Sequence, residues 1–175
     1  HGLLRRQRQM CIRDRGRPVS GEEFDRVIAE AERWLPAERV GDWLFFLRGL
    51  WWSGLRLEEA YELSWDEWSE SISVDLSGEY GVLRIPAEAQ KNGEEQLLPI
   101  APEFAELLRS VPEEQREGCV FNPGKARRGY EGRATLATVK NIIRDLGKKA
   151  RVLVGKDKFA SAHDLRRSFG SRWSL

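Results

Sequence analysis

The stretch AHDLRRSF, residues 162–169, carries the most specific chemical pattern in the sequence. His163 and Arg166 are three residues apart, so on a helix they share one face, while Leu165 and Phe169 can anchor another face to a core. A histidine that titrates near neutrality beside a permanently charged arginine suits proton transfer next to a phosphate. The stretch therefore predicts a helix from residue 162 with a candidate phosphate site. A histidine that only satisfies a core or cap hydrogen bond is the alternative.

A second candidate lies in SGLRLEEA, residues 53–60, where Gly54 breaks one helical pattern and Arg56 stands at the start of the next. The start of a helix offers unpaired backbone N–H groups and the positive end of the helix dipole, so an arginine there is well placed to hold a phosphate. Glu59, three residues further on, can support or pair with Arg56. Pairs at this spacing are more often solvated surface pairs, so both interpretations stay open.

A third candidate is the turn QKNG, residues 90–93, which places Lys91 at the tip of a predicted hairpin. A lysine on a tight turn can reach into a groove, where it can protonate a leaving oxygen or bind a phosphate. A solvent-exposed turn lysine is the commoner alternative. The sequence has no Gly-rich phosphate loop, no cluster at metal-ligand spacing and no GxSxG motif, so we expect neither a cofactor nor a metal.

Periodicity in the rest of the chain indicates helices on both sides of a small sheet. Ser20 followed by Glu23 is a capping-box signature, and Pro102 occupies the favoured first-turn position of a helix. Alternating residues separated by Ser-Gly and Asn-Gly turns favour three antiparallel strands. We therefore predict an α+β fold, mainly α, with a three-stranded antiparallel sheet. The predicted helices span 21–34, 40–52, 57–63, 102–110 and 135–150, with a last one from 162, and the predicted strands span 72–76, 82–85 and 96–100.

The charges are strongly segregated along the chain, although the net charge is only +1. Residues 18–117 carry nine basic and 23 acidic side chains, whereas residues 118–175 carry 14 basic and four acidic ones, a net charge of +10. A basic segment of this size is a plausible footprint for a polyanion such as nucleic acid. Basic and acidic parts that face each other across one fold are the alternative.

The first 17 residues differ from the rest, because they contain six arginines against one aspartate and show no helical or strand period. We interpret residues 1–17 as a basic disordered tail or a non-native segment, with a DNA-gripping arm as the alternative. The remaining length suits one domain with its own core, over residues 18–175.

Two features bear on where the protein works. No apolar run approaches the ~18 residues that span a bilayer, and the N-terminus shows no secretory signal. Cys11 and Cys119 lie far apart and indicate neither a disulfide framework nor a zinc site. We therefore expect a cytoplasmic, intracellular protein with no membrane partner.

Taken in order, SGLRLEEA, a hairpin with KNG followed by LPI, and HDLRRSF resemble the catalytic domain of the tyrosine recombinase (phage integrase) family, over roughly residues 18–175. The resemblance implies a helical catalytic domain of a site-specific recombinase or integrase. Such an enzyme cleaves and rejoins double-stranded DNA without a metal through a 3′-phosphotyrosine intermediate, with sister recombinase subunits as partners. It also implies association with the nucleoid.

The resemblance assigns roles to five residues. Arg56 and Arg166 match the two arginines that bind the scissile phosphate, and Glu59 matches the acidic residue that supports the first of them. Lys91 matches the hairpin lysine that protonates the leaving 5′ oxygen, and His163 matches the histidine that assists proton transfer. Two guanidiniums suit the negative charge that builds on the non-bridging oxygens. We expect the two arginines, the lysine and the histidine to converge on one open, basic groove.

The sequence departs from the family pattern after the second arginine. In the family a nucleophilic tyrosine follows that arginine, whereas Tyr61, Tyr80 and Tyr130 all precede Arg166. We therefore expect a C-terminally truncated catalytic domain that cannot cleave DNA on its own. The alternatives are a non-catalytic DNA-binding or decoy protein that retains the phosphate pocket, and a type IB topoisomerase-like enzyme.

Overall fold

The computed structural model describes residues 16–67 and 69–174, which contain six α-helices and five short strands. None of these helices is both long and apolar enough to cross a membrane. The predicted α+β, mainly helical class is confirmed. The helices are α1 (Gly21–Trp34), α2 (Ala37–Ser53), α3 (Leu57–Glu62), α4 (Pro102–Arg109), α5 (Leu136–Lys149) and α6 (Ala162–Trp173). The strands are β1 (Ser73–Asp75), β2 (Val82–Ile85), β3 (Gln96–Pro99), β4 (Leu153–Gly155) and β5 (Lys158–Phe159).

Helix α2 lies at the centre of the fold because apolar residues occur around almost its whole circumference. Trp43, Phe46 and Leu47 are fully buried, and α1, α4 and α6 each pack against α2. Gly49 leaves room for the ring of Phe121, which a Cβ atom at this position would overlap. The buried central helix thus provides a fixed support for the shorter helices that carry the candidate site.

The first three strands form the predicted antiparallel meander, in the order β1–β2–β3. Ser73 pairs with Arg84, and Leu83 pairs with Leu98. Strand β3 is exposed along its length, whereas Leu83 in the middle strand is buried. The β2–β3 connection is longer than a tight hairpin, because a 3₁₀ turn at residues 87–89 and a second turn at residues 91–92 lie between the strands.

A two-stranded sheet between α5 and α6 is absent from the sequence-based prediction. Strands β4 and β5 pair in antiparallel fashion with an irregular register between Leu153 and Gly155. Their connection contains Asp157 at a φ of 56°, a left-handed conformation that aspartate tolerates better than most residues. Strands of three and two residues are too short to show a reliable alternation. This small sheet leads directly into the start of α6.

Gly16 and Arg17, which precede the predicted domain boundary, are both hydrogen-bonded to the rest of the fold. The backbone N–H of Arg17 donates to the carbonyl of Val154 in β4 at 2.7 Å, and the carbonyl of Gly16 accepts a hydrogen bond from Arg167 in α6. These two hydrogen bonds attach residues 16 and 17 to β4 and α6. The rest of the predicted basic tail, residues 1–15, lies outside the described residues.

We expect the ion pair between Arg17 and Glu23, whose nearest N–O distance is 2.6 Å, to make stability depend on pH. The Arg17 guanidinium, helped by the backbone N–H of Ser20, lowers the pKa of Glu23 from its ordinary value of 4.5 to about 2. A carboxylate with a lowered folded-state pKa stabilises the fold above its ordinary pKa, and this stabilisation is lost as the pH falls through the folded value. The free energy of unfolding should therefore drop between about pH 5 and pH 2.

Urea unfolding at several pH values measures this effect. The drop should be clearly smaller in Glu23→Gln, which has no carboxylate to protonate. Glu22→Gln is the matched control, because it removes a neighbouring carboxylate that is 74% exposed and paired with Arg26, while the Arg17–Glu23 pair remains. The drop should therefore persist in this variant. Identical pH profiles for wild type and Glu23→Gln would contradict the prediction.

Candidate functional site

One open pocket of about 610 Å³ lies where the starts of three helices meet. It contains three of the five site residues predicted from the sequence, namely Arg56, His163 and Arg166. Four of its lining side chains are basic or imidazole groups, and one is acidic. The lining residues are Arg56, Leu57, Glu58, Leu136, Ala137, Lys140, Ser161, Ala162, His163 and Arg166.

The backbone of the pocket is built from helix N-termini. The cap and first two residues of α3 line it, as do the first two residues of α5 and the cap and first two residues of α6. The N-terminal end of a helix carries a partial positive charge and unpaired N–H groups. Because three such ends meet beside basic side chains, the pocket is suited to bind an anion, and a phosphate in particular.

The end of α2 holds the two predicted arginines together. Helix α2 ends at Gly54, whose φ of 67° lies in the left-handed region that favours glycine. The Nε of Arg166 donates to the carbonyl of Gly54 at 3.0 Å, and Arg56 follows only two residues later. Among the described residues the guanidinium makes no other hydrogen bond, so its two terminal nitrogens are available for a ligand. Arg166 therefore presents an oriented guanidinium group next to Arg56, which is more exposed.

Glu59 supports the backbone of Arg56 rather than its guanidinium. Its Oε1 accepts a hydrogen bond from the backbone N–H of Arg56 at 2.9 Å. No ion pair joins the two side chains in the described part of the chain. The acidic residue therefore fixes the first turn of α3, and the Arg56 guanidinium stays free to contact a ligand.

The start of α6 is held rigidly by a buried carboxylate next to His163. The Oδ2 of Asp164 accepts hydrogen bonds from the backbone N–H and the hydroxyl of Ser161, both at 2.9 Å. Asp164 is fully buried and lies 3.3 Å from a guanidinium nitrogen of Arg167. This capping box fixes the helix turn on which His163 stands exposed at the pocket.

Lys91 is not among the residues that line the pocket. It is exposed in the turn that follows the 3₁₀ segment of the β2–β3 connection. Asn92 caps this turn, because its Oδ1 accepts from the backbone N–H of Glu94 at 3.2 Å. The expected convergence of four groups therefore holds for Arg56, His163 and Arg166 in this structure, and not for the lysine.

Lys140 also lines the pocket, from α5, and is not among the site residues predicted from the sequence. The only sequence signal is its spacing, since Leu136, Ala137 and Lys140 fall on one face of a helix that begins after Thr135. Thr135 is the N-cap, and its hydroxyl accepts from the backbone N–H of Thr138 at 3.3 Å. Nothing local to this helix indicates that its face meets the start of α6.

Comparisons with known proteins bear on the fold. No protein-family model and no curated protein matches the sequence. The structure is similar to the crystal structure of XerA recombinase, with a TM-score of 0.52 and 23% identity over 89% of this chain and 50% of that one. It is also similar to XerH site-specific recombinase bound to palindromic difH substrate in a post-cleavage complex, with a TM-score of 0.53 and 16% identity over 89% of this chain and 41% of that one.

The chain has a tyrosine recombinase-like fold. The predicted resemblance is thus confirmed at the level of architecture, including the small antiparallel sheet among the helices. The chain spans about half the length of XerA recombinase and somewhat less of XerH recombinase. At these sequence identities the likeness concerns the fold alone.

Proposed function

We propose that this chain belongs to a site-specific DNA recombinase or integrase and that its pocket binds a phosphodiester of double-stranded DNA. The observation that carries the proposal is the meeting of Arg56, His163 and Arg166 at three helix N-termini within a recombinase-like fold. The net charge of +10 over residues 118–175 supports a polyanionic partner. A DNA partner in turn implies an intracellular, nucleoid-associated location.

The proposed chemistry is transfer of the phosphoryl group from a DNA 5′ oxygen to a tyrosine hydroxyl and back. Attack on phosphorus adds negative charge to the non-bridging oxygens, where Arg56 and Arg166 stabilise it. The tyrosine hydroxyl loses its proton as its oxygen bonds to phosphorus, and His163 assists this proton transfer while Glu59 fixes the backbone of the first arginine. The bond from phosphorus to the 5′ oxygen breaks, and we assign to Lys91 the donation of the proton that this leaving oxygen takes up. The covalent intermediate keeps the bond energy, so rejoining requires no ATP and no metal.

Lys91 can protonate the 5′ oxygen only if the β2–β3 connection moves to the pocket or is brought there by bound DNA. Lys91 is exposed and outside the pocket lining, while the connection that carries it is long and lies beside the exposed strand β3. A lysine on a flexible stem is a compact, mobile cation, which suits a group that engages only once DNA is bound.

None of the three tyrosines, all within described residues, lines the pocket. The hydroxyl of Tyr61 donates to the carbonyl of Ala134 at 2.8 Å, beneath the guanidinium of Arg133. Tyr80 and Tyr130 are exposed elsewhere. We therefore propose that the 175-residue polypeptide binds DNA without cleaving it, and that the attacking tyrosine comes from a longer form of the protein or from a sister subunit.

Because none of the three tyrosines lines the pocket, one alternative is also favoured. This alternative is a DNA-binding or decoy protein that retains the phosphate pocket but does not catalyse the reaction. Trapping experiments on nicked DNA substrates separate the two. The recombinase proposal requires a covalent protein–DNA adduct when a longer form carrying the tyrosine is used. A longer form that binds DNA and never forms the adduct supports the decoy.

The first test is the salt dependence of DNA binding by the 175-residue chain. We expect it to bind a labelled duplex at low salt, with an association constant that falls linearly on a log–log plot, by a slope of about 0.9 for each phosphate contacted. Fluorescence anisotropy titrations at several sodium chloride concentrations give the slope. A chain that folds and shows no salt-sensitive binding at low ionic strength contradicts the proposed function.

A further inference from the structure

Arg133, which lies shortly before α5, joins the end of α3 to the core. Its Nη2 donates to the carbonyl of Tyr61, in the last turn of α3, and to the carbonyl of Phe121 at 2.9 Å. The guanidinium carbon lies 3.6 Å from the centre of the Tyr61 ring. Phe121 is fully buried and packs against Gly49 of the central helix α2. Arg133 therefore attaches α3 to a segment that is itself fixed against α2.

Tyr61 makes the reciprocal contact to the entry of α5. Its hydroxyl donates to the carbonyl of Ala134 at 2.8 Å, and the backbone N–H of Ala134 donates to the carbonyl of Pro123 at 2.8 Å. Ala134 is buried and lies just before Leu136, which lines the pocket. Each of the two side chains thus binds the backbone beside the other. We call Tyr61 and Arg133 the α3 clamp.

The clamp fixes a helix that has little support of its own. Helix α3 has six residues, and a helix this short is not stable through its own hydrogen bonds. The Nε of Arg133 is buried and has no hydrogen-bond partner among the described residues, which costs free energy. Its planar group nevertheless contacts two carbonyls and one ring at the same time, which permits only one arrangement of these groups. Arg133 is therefore better suited to fix geometry than to add stability.

We propose that Tyr61 and Arg133 are positioning residues for the phosphate pocket, because they set the α3 wall, which carries Arg56, against the α5 wall. This inference rests on the proposed function and deepens it. Arg166 is held separately, by the carbonyl of Gly54. Loosening the clamp should therefore displace Arg56 and leave Arg166 in place.

The first test combines Arg133→Lys with a change at each pocket arginine in turn. Lysine keeps the charge but cannot stack on Tyr61 and bridge two carbonyls at once. In wild type, Arg56→Gln should weaken duplex DNA binding by about 10-fold or more, as for a hydrogen bond to a charged group. In Arg133→Lys this loss should be smaller by at least about threefold, whereas the loss from Arg166→Gln should be unchanged. Additive losses for both arginines overturn the proposal.

Two control variants separate positioning from the substitution itself and from lower stability. Arg144→Lys makes the same exchange at an exposed residue of α5, and Leu108→Ala shortens a buried side chain of α4, outside the pocket. In both controls the losses from Arg56→Gln and Arg166→Gln should stay additive. If Leu108→Ala also reduces the Arg56 loss, reduced stability alone explains the coupling and the clamp has no positioning role.

Amide hydrogen exchange of the DNA-free chain tests the clamp independently of DNA binding. The N–H of Ala60 in α3 donates to the carbonyl of Arg56 at 2.9 Å, and that of Leu165 in α6 donates to the carbonyl of Ser161 at 3.3 Å. Tyr61→Phe, which removes only a hydroxyl, should speed exchange at Ala60 by at least about twofold and leave Leu165 unchanged. Equal effects at both amides, or none at Ala60, contradict the inference. If wild type shows no salt-sensitive DNA binding, the proposed function fails, and the exchange pattern still decides whether the clamp holds α3.

Discussion

Replacing Arg56 and Arg166 together by glutamine is expected to weaken duplex DNA binding by at least about 100-fold at low salt, because hydrogen bonds to charged groups contribute roughly 1.5–3 kcal/mol each. The two guanidiniums share the pocket in which three helix N-termini meet. Arg166 is held in place by the Gly54 carbonyl, so its terminal nitrogens do not have to be ordered on binding. Fluorescence anisotropy with the labelled duplex measures the loss.

The matched control for the double variant is Arg33→Gln combined with Arg109→Gln, which removes the same charge from two exposed residues outside the pocket. This control should bind within a few-fold of wild type. Equal losses in both double variants would mean that binding follows net charge alone, which would contradict the assigned pocket. Circular dichroism establishes that each variant is folded before its affinity is compared.

Arg166→Lys separates charge from geometry. Lysine keeps the positive charge but lacks the planar fork, and it cannot donate to Gly54 and a phosphate in the same arrangement. We expect an affinity between those of wild type and Arg166→Gln. An Arg166→Lys variant with wild-type affinity for DNA would show that Arg166 acts as a point charge.

Gly54→Ala is expected to lower the free energy of unfolding by about 2–5 kcal/mol. A non-glycine residue in the left-handed conformation costs roughly 1–2 kcal/mol, and the φ of Gly54 is 67°. In addition, a Cβ atom at this position would overlap the ring of Phe169 in α6, which then has to shift at a cost of about 1–3 kcal/mol. Urea denaturation measures the change.

Gly170→Ala is the matched control, because Gly170 is exposed on the same helix as Phe169 and a Cβ there meets nothing within 4 Å. Alanine is the better helix former by about 0.5–1 kcal/mol, so this variant should be as stable as wild type or more stable. A Gly54→Ala variant with wild-type stability would show that neither the strain nor the overlap is real. Because Arg166 is bonded to Gly54, the residual folded protein should also bind DNA more weakly.

Local patterns in the sequence predict most of the elements correctly, since their causes lie within a few residues. The Ser20–Glu23 capping box starts α1, and Pro102 opens α4. Predicted and observed ends differ by at most three residues, as at α2, which begins at Ala37 instead of Val40. The β4–β5 sheet escapes prediction because its strands are too short to show a period.

Only part of the candidate site follows from local sequence. AHDLRRSF predicts the helix start at residue 162, and SGLRLEEA predicts the interruption at Gly54, because helix starts and glycine breaks are local effects. The expectation that Glu59 acts beside Arg56 was right about the partner, but the contact is to the backbone N–H instead of the guanidinium. Both carboxylate arrangements fit the same three-residue spacing, so spacing alone could not distinguish them.

The sequence by itself determined the helix starts on which Arg56, His163 and Arg166 stand, and the chemical character of each. Only the tertiary structure decided which side chains share a pocket. It joined residues more than 100 positions apart through the bond from Arg166 to Gly54, added Lys140 and left Lys91 outside. The physical reason is that caps and periodicity depend on neighbours in sequence. The meeting of α3, α5 and α6 depends instead on how α3 and α6 pack against the buried α2 and how α5 packs against both of them.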